Sequence, residues 1–536
     1  MQMKRISVIA GTVATVATVM VFAVKPAVGQ DGDTWFTQDG IDAANSILSS
    51  SLAQFLSGDG VNALERQSGR LANVNVGVGG GPVSSPPIQS SRFEVMVNDP
   101  ADDKFAAFDI STHSETASAA YGNNVVVAFN DSTGFVSAGG APAFSGMGYA
   151  HSSDGGATFT DLGNLPVRTG FPLQENEGDP GIVVNRNGVF YASYILFDAV
   201  RPTGFRNTVG VSKSTDGGVT WSLPVGLPVF GVPGNFLDKC FIAVDATGSS
   251  NNGNVYVTFT NFPGVFAGSL PIMFSGSTDG GSTFSTPITL STPGTQNQGS
   301  EPAVGPHGEI YVAWFQFTGP HGSGIVVAKS TNGGLTFGVP VFVAPATPIG
   351  FNSGSMLGNF RVNSFPRIDV DQNNGNVYIT YASRPGHGDS GDVFFVRSTN
   401  GGATWSSPLR LNDDPGDNDQ FFSDLAVNAD GAIMAIWYDK RRDPENIDMT
   451  VFSTVSTDGG LSFRPNQAVT PATFPPAVGY DPVLNRIYMG DYIDIKAGQS
   501  ATGRTSDFFL AWGDFRRVIT TTGGTRHNQD VFFSRK

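Results

Sequence analysis

STDGGVTW, running from Ser214 to Trp221, is one of six near-copies of a single phrase, and the chemistry of that phrase decides the fold. The others are SSDGGATF from Ser152, STDGGSTF from Ser277, STNGGLTF from Ser330, STNGGATW from Ser398 and STDGGLSF from Ser456. Paired glycines supply the positive φ of a tight turn between twisted strands. The side chain at Asp154, Asp216, Asp279, Asn332, Asn400 and Asp458 accepts hydrogen bonds from backbone N–H groups just after it. The closing Phe or Trp brings a large apolar ring to bury between neighbouring units. At two of the six positions an amide keeps the acceptor oxygen and loses the charge, so a structural role is expected, not a catalytic or metal-binding one. The copies stand 53 to 68 residues apart, the length of one four-stranded propeller blade.

Outward from each box lie recognisable strand pairs. They read ASAAYGNNVVVAFND, GIVVNRNGVFYASY, FIAVDATGSSNNGNVYVTF, PAVGPHGEIYVAW, RIDVDQNNGNVYITY and LAVNADGAIMAIWYD. A seventh, DYIDIKAGQSATGRTSDFFLAWGD, follows the last box and leads to QDVFFSR at the end of the chain. That last unit lacks a fourth strand, and the isolated strand FEVMVN, Phe93 to Asn98, is the candidate to supply it. Pairing first strand with last unit would close the ring and remove an exposed edge. The expectation is an all-β, seven-bladed antiparallel propeller over residues 92–536 with N-terminal strand closure.

The remaining chain divides in two. Lys4 and Arg5 precede an apolar run from Ile6 to Val24, and Ala27-Val28-Gly29 offers a small-x-small cleavage site before Gln30. Residues 1–29 therefore read as a signal peptide, with an uncleaved anchor as the rival. Either implies export, to a secreted, periplasmic or cell-surface location. Residues 30–91 read as a short helical stretch (Ile41, Ala44, Ile47, Leu48, Phe55, Leu56) followed by a Gly-, Pro- and Ser-rich linker. A net charge of −15 with no basic stripe argues against nucleic acid. The single cysteine, Cys240, lies within the apolar CFIAVD and is expected to be a buried small hydrophobe. After signal removal no membrane span is expected, and the protein is expected to be a monomer.

The box resembles the Asp-box, or BNR repeat. Together with SETASAAYGNNVVVAFND, GDPGIVVNRNG, WYDKRRDP and GDYIDI it makes residues 92–536 resemble secreted bacterial proteins of the sialidase-like propeller superfamily. That resemblance implies a glycan or glycoconjugate partner and sialidase-like glycoside hydrolase chemistry of the exo-alpha-sialidase type. The superfamily also contains non-enzymatic binding proteins, so a non-catalytic extracellular carbohydrate- or protein-binding scaffold is the alternative. Its sialidases carry a Phe/Tyr-Arg-Ile-Pro motif early in the propeller. This chain has none, its nearest string being FPRID at Phe365–Asp369.

The entrances of innermost strands converge on a propeller's axis. At or just before them lie Glu115, Asp179, Asp238 with Lys239, Glu301, Arg367, Asp424, and Asp491 with Tyr492. Asp491, Tyr492, Glu301 and Asp238 are the catalytic candidates, since paired carboxylates can serve as acid and base or nucleophile. Arg367, Lys239 and Asp179 are the substrate-binding candidates beside them. Arg441 in WYDKRRDP and Arg516 in WGDFRR extend that set onto loops, because Arg suits bidentate recognition of an acidic sugar. The competing reading makes the axial residues strand-end caps that satisfy neighbouring backbone, and the loop pairs internal ties. No metal or cofactor is expected: the run NDDPGDNDQ, Asn412 to Gln420, reads as a solvated turn.

Overall fold

A computed structural model describes residues 94–536, apart from 104–110, 136, 139–144, 170–173, 199–206, 229–234, 264–267, 351–355, 387, 482 and 522–523, together with Asn45, Leu48, Val61, Leu64, Glu65, Asn75 and Val76. The expected signal segment 1–29 and most of 30–91 lie outside the described residues, although Asn45, Leu48, Val61, Leu64 and Glu65 are helical.

The regular structure of the described residues is almost all β-strand, with very little helix. Five antiparallel sheets have four strands each, taken in chain order from Gln174, Phe236, Gln296, Arg367 and Gln420. A further sheet has eight strands, made of two four-stranded groups. One runs His113–Tyr121, Asn124–Asp131, Met147–Ser152, Thr160–Asn164, and the other Asp494–Ser500, Gly503–Thr521, Gly524–Arg535, Val95–Met96. The two groups meet at a single parallel pair, Gln499 with Tyr121. Val95 lies opposite Phe533 and Met96 opposite Phe532, so a strand from before the first box completes the last group. Each group's first strand neighbours the first strands of the groups on either side, and Asp494–Ser500 neighbours His113–Tyr121, so the set closes on itself. This is the radial arrangement of a β-propeller.

The boxes do what their residue types require. Asp216 Oδ1 accepts from Val219 N (3.1 Å) and Thr220 N (3.0 Å), and Thr220 Oγ1 donates to Oδ2 at 2.6 Å. Asn332 keeps the backbone contact, Thr336 N to Oδ1 at 3.0 Å, while its amide now donates to Thr336 Oγ1 at 2.8 Å. A hydroxyl serves as donor or acceptor, so the turn survives loss of the charge. Each aromatic reaches the preceding group: Trp221 meets Tyr149 edge-on at 6.1 Å, Phe337 meets Phe274 at 4.8 Å, Phe463 meets Phe395 at 5.0 Å. Phe159 meets Phe533 of the last group at 5.0 Å, carrying the same contact across the ring's junction. The second box glycine lies under this contact, and a Cβ on Gly218 would stand 2.1 Å from Val126 Cγ2.

Two expectations need correction. Trp221 is only partly buried. The run Asn412–Gln420 is a solvated turn only in part: Asp413, Pro415, Gly416 and Asp417 are exposed, but Asn412, Asp414, Asp419 and Gln420 are buried, and Asn412 Nδ2 donates to Asp392, Asp414 and Gln420. Its acidity balances Arg410 and Arg441, which neither local spacing nor composition reveals.

Candidate functional site

Five first strands carry a bulge at equivalent places. Pairing with the second strand slips between Ser114 and Ala117, Gly178 and Gly181, Asp238 and Phe241, Gln298 and Glu301, and Phe421 and Asp424. Within the slips Glu115, Asp179, Lys239, Gly299 and Phe422 have φ of 49°, 57°, 55°, 68° and 49°. Four of the five are not glycine, and a left-handed side-chain-bearing residue costs about 1–2 kcal/mol. The surrounding contacts sustain that strain.

Past the bulges, Ala117, Gly181, Phe241, Glu301, Arg367, Asp424 and Asp494 occupy the same register in their strands, paired with Ala128, Ser193, Thr258, Ala313, Thr380, Ile436 and Ala511. Three residues of this layer are small or apolar and four are charged. Arg367 Nη1 lies 3.5 Å from Glu301 Oε1, and Lys496 Nζ lies 3.2 Å from Asp494, 3.5 Å from Glu301 and 3.9 Å from Asp424. One layer away, Lys239 Nζ lies 3.4 Å from Asp179 and 3.9 Å from Glu115, and 3.5 Å from the centre of the Tyr492 ring. Arg367 stacks on Phe241 at 4.3 Å and on Tyr492 at 4.8 Å. Lys239, Arg367 and Lys496 thus form a stack of cations at the centre, ringed by carboxylates and aromatic faces.

The carboxylates also bond the backbone of the neighbouring group. Asp179 Oδ2 accepts from Lys239 N (2.8 Å), Glu301 Oε2 from Ile368 N (2.9 Å), Asp369 Oδ2 from Val427 N (2.8 Å), Asp424 Oδ2 from Ile495 N (3.2 Å) and Asp494 Oδ2 from Ser118 N (2.9 Å). Asp238 accepts from Gln298 Nε2 at 2.6 Å. One first strand is stitched to the next in this way around much of the ring. Burial pushes the Asp424 carboxyl up to about 7, against the pull of Lys496 and Arg367. Burial likewise raises the Cys240 thiol well above its usual range, as befits an inert buried cysteine.

Of the sequence candidates, Lys239, Arg367, Asp491 and Tyr492 line one cavity with Phe241, Asn363, Phe365, Phe422 and Ser423, and its volume is about 10 Å³. That is room for one water. Asp491 is fully buried beside Arg361, with Nε to Oδ1 at 3.2 Å, and the Tyr492 hydroxyl donates to Pro180 O at 2.9 Å. Glu301 and Asp179 adjoin the cavity through Arg367 and Lys239.

Arg441 and Arg516 lie elsewhere, in a repeated device. In Trp437-x-Asp439-x-Arg441 and Trp512-x-Asp514-x-Arg516 the indole N–H donates to the Asp at 2.8 and 3.1 Å, and the Arg Nε donates back to it at 3.0 and 2.8 Å. Each guanidinium then stacks on a third-strand ring, Phe452 at 4.5 Å or Phe532 at 4.8 Å. Arg441 also binds Asp413, and Arg516 binds Glu94 at 2.6 Å. Both guanidiniums are thus engaged by side chains of the protein itself.

Sequence reasoning did not single out Asp494 and Lys496, although their spacing in DYIDIK puts them on one face of a strand and aligning paired positions across the units would have found them. Nothing local marks Arg361, or Arg504, which clamps Asp369 through two hydrogen bonds of 2.7 and 2.6 Å. Among the described residues no group of three or more His, Cys, Asp or Glu is arranged to hold a metal, and no helix is long and apolar enough to cross a membrane.

No family model matches the chain, and no curated protein does. Among solved structures it is similar to a Hadza microbial sialidase, at 14% identity over 72% of this chain and 73% of that one, with a TM-score of 0.40. It is similar to an alpha-L-arabinofuranosidase from Fusarium graminearum, at 12% identity over 68% and 97%, with a TM-score of 0.43. An ulvan lyase, solved with a bound -[GlcA(1-4)Rha3S]- unit, stands at 14% identity over 66% and 82%, with a TM-score of 0.39. None of these likenesses assigns an activity to this chain.

Proposed function

We propose that the protein is an exported, glycan-directed propeller of seven blades that binds without catalysing, and that its axis is a closely packed electrostatic core. The observation that carries this reading is the axial cavity of about 10 Å³, with Asp491 and Arg361 engaged behind it. Small-molecule sites usually occupy roughly 300–1,000 Å³. Of the carboxylates that would act on a sugar, Glu301 holds the neighbouring backbone at Ile368 N, Asp238 the Gln298 side chain and Asp491 the Arg361 guanidinium. The blade count takes the eight-stranded sheet as two blades that touch at Gln499 and Tyr121. Glycan direction rests on the Asp-box resemblance, and export on residues 4–29. The domain plan that goes with it is a signal peptide over 1–29, a helical and linker segment over 30–91 and the propeller over 92–536.

The purified protein, presented to a glycan array and to fluorogenic sialosides and polysaccharides, is expected to retain glycans and release no product. Turnover that Asp491→Asn abolishes without lowering the melting temperature would overturn the reading. The exported form should begin at Gln30.

One observation favours the hydrolytic alternative. Asp424, held at about 7 beside Glu301 and Arg367, has the half-protonated state a general acid needs at neutral pH. On that alternative Asp424 joins Asp491, Tyr492, Glu301 and Asp238 as the catalytic set, with Arg367, Lys239 and Asp179 holding an anionic sugar. Its signature would be a rate that falls with a midpoint near pH 7 and loses that midpoint in Asp424→Asn.

A further inference from the structure

Most of the polar groups that line the axial cavity are already bonded. Lys239 is paired with Asp179 and Glu115. Asn363 Nδ2 donates to Asp491 O at 2.8 Å, and Asn363 Oδ1 accepts from Phe365 N at 3.1 Å. Asp491 is paired with Arg361, and the Tyr492 hydroxyl donates to Pro180 O. Two lining residues differ. Arg367, 3% exposed, makes no hydrogen bond to a described residue through Nη1 or Nη2, and Ser423, 4% exposed, makes none through Oγ.

A buried guanidinium whose N–H groups lack acceptors is costly. The carboxylate paired with Arg367 does not remove that cost. Glu301 Oε1 stands 3.5 Å from Arg367 Nη1 and equally far from Lys496 Nζ, and Glu301 Oε2 is taken by Ile368 N. Phe241 and Tyr492 cover the guanidinium's faces at 4.3 and 4.8 Å, which leaves its N–H edge. None of Glu301, Asp424 and Asp494 lines the cavity, and its one carboxylate, Asp491, has its charge met by Arg361. The rest of the lining is ring surface, from Phe241, Phe365, Phe422 and Tyr492. An occupant therefore meets donors and rings. A water can accept from the donors but must aim its own hydrogens at the rings, whereas an anion accepts and has none to place. Two of the left-handed bulge residues, Lys239 and Phe422, also line the space, and strained backbone of this kind gathers at ligand clamps.

We propose that this cavity is a binding site for one small monatomic anion, chloride in ordinary media, held by the Arg367 guanidinium and the Ser423 hydroxyl. Space for a single water suits such an ion and is too small for a carboxylate. The inference deepens the axial half of the reading above, since it names the ion that completes the packed core, and it rests on that packing and not on glycan binding. Its test uses no glycan, so the two fail separately.

The chloride NMR linewidth of the full chain reads the site directly, with sodium chloride exchanged for sodium gluconate at constant ionic strength. The native protein is expected to broaden the line in a saturable way, and sodium acetate should not compete. Ser423→Ala should weaken chloride binding about tenfold, the scale of one hydrogen bond to a charged partner. That variant leaves every ion pair in place, so its folding is not at stake. Arg367→Lys keeps the charge opposite Glu301 but loses the planar fork, and should abolish saturation. Absence of saturable broadening in the native protein would overturn the proposal and leave the cavity to water. Broadening undiminished in both variants would overturn it too, by placing the ion elsewhere. Acetate competing as well as chloride would show a site open to carboxylates and not one for a monatomic ion.

Discussion

Asp216 spends both carboxylate oxygens on one turn. Desolvation acts to raise its carboxyl, but the hydrogen bonds from Thr220, Ser214 and Val219 together outweigh it and hold it down at about 2. Its folded value is below its unfolded one, so this contribution is complete above about pH 4 and is lost as pH falls through about 2. Asp216→Asn should change stability by less than about 0.5 kcal/mol at neutral pH, because Asn332 and Asn400 already hold the same turn. Asp216→Ala, which removes the acceptor altogether, should cost clearly more in the same thermal melts. Lys239 is the opposite case. It is buried against Asp179 and Glu115, and Lys239→Met would strand both carboxylates, at a cost of about 3–5 kcal/mol by urea unfolding. A loss under 1 kcal/mol would contradict that pairing.

The blade-to-blade contact is the unit at the next scale. Each box aromatic sits on the preceding group, and Asp179, Glu301, Asp424 and Asp494 cap the following one, so adjacent groups are joined at rim and axis. Trp221 is partly exposed, and Trp221→Ala is expected to cost about 2–3 kcal/mol, below the range for a fully buried ring. The Trp-x-Asp-x-Arg device joins strands two and three within a group. Arg441→Met and Arg516→Met should each cost about 1.5–3 kcal/mol, the scale of a charged hydrogen bond left without its partner. Only the second should also loosen the N-terminal strand, because only Arg516 holds Glu94. Chymotryptic release of that strand measures the difference. The two motifs were visible in the sequence, yet their role was not. An Asp two residues before an Arg suits a ligand clamp as well as an internal tie, and the stacking on Phe452 and Phe532 comes from the third strand, which the motif does not show.

Ring closure is a property of the whole molecule. Asn98 Oδ1 accepts from Val531 N at 2.8 Å, and Asn98 Nδ2 donates to Asp530 at 3.1 Å. Arg517 bridges Asp103 and Asp530 at 2.6 Å each. Asn98→Ala should cost about 1–3 kcal/mol and reduce exchange protection of residues 524–535 before that of other strands. Burial pushes Asp103 up to about 7. His113 is raised as well, since Asp131, Asp103 and Asp530 outweigh the burial that would lower it. Both groups hold protons more tightly folded than unfolded. Asp103's share of stability therefore declines as pH rises from about 4 to 7, and that of His113 declines above about 6.5. The melting temperature should fall from pH 6 to 8, and Asp103→Asn should flatten the slope. A rise across that interval would contradict the assignment.

Six boxes at blade-length intervals determined, by themselves, the all-β class, the strand rhythm and the strand that completes the last group. Each of these follows from local chemistry: glycine φ, short-range acceptors and strand alternation. The structural role of the box acid was legible too, because Asn332 and Asn400 stand in its place. What the axial residues do was not. Glu301, Asp424 and Asp494 read equally well as catalytic carboxylates or as caps, and sequence spacing says nothing about how much space remains between side chains from different sheets. Only the tertiary structure brings Lys239, Arg367 and Lys496 into one stack, adds Arg361 and Arg504 from connections with no local signal, and leaves room for one water. The physical reason is distance along the chain. A turn is specified by residues within reach of one another, whereas the charge balance and free volume of an axis depend on all the sheets at once.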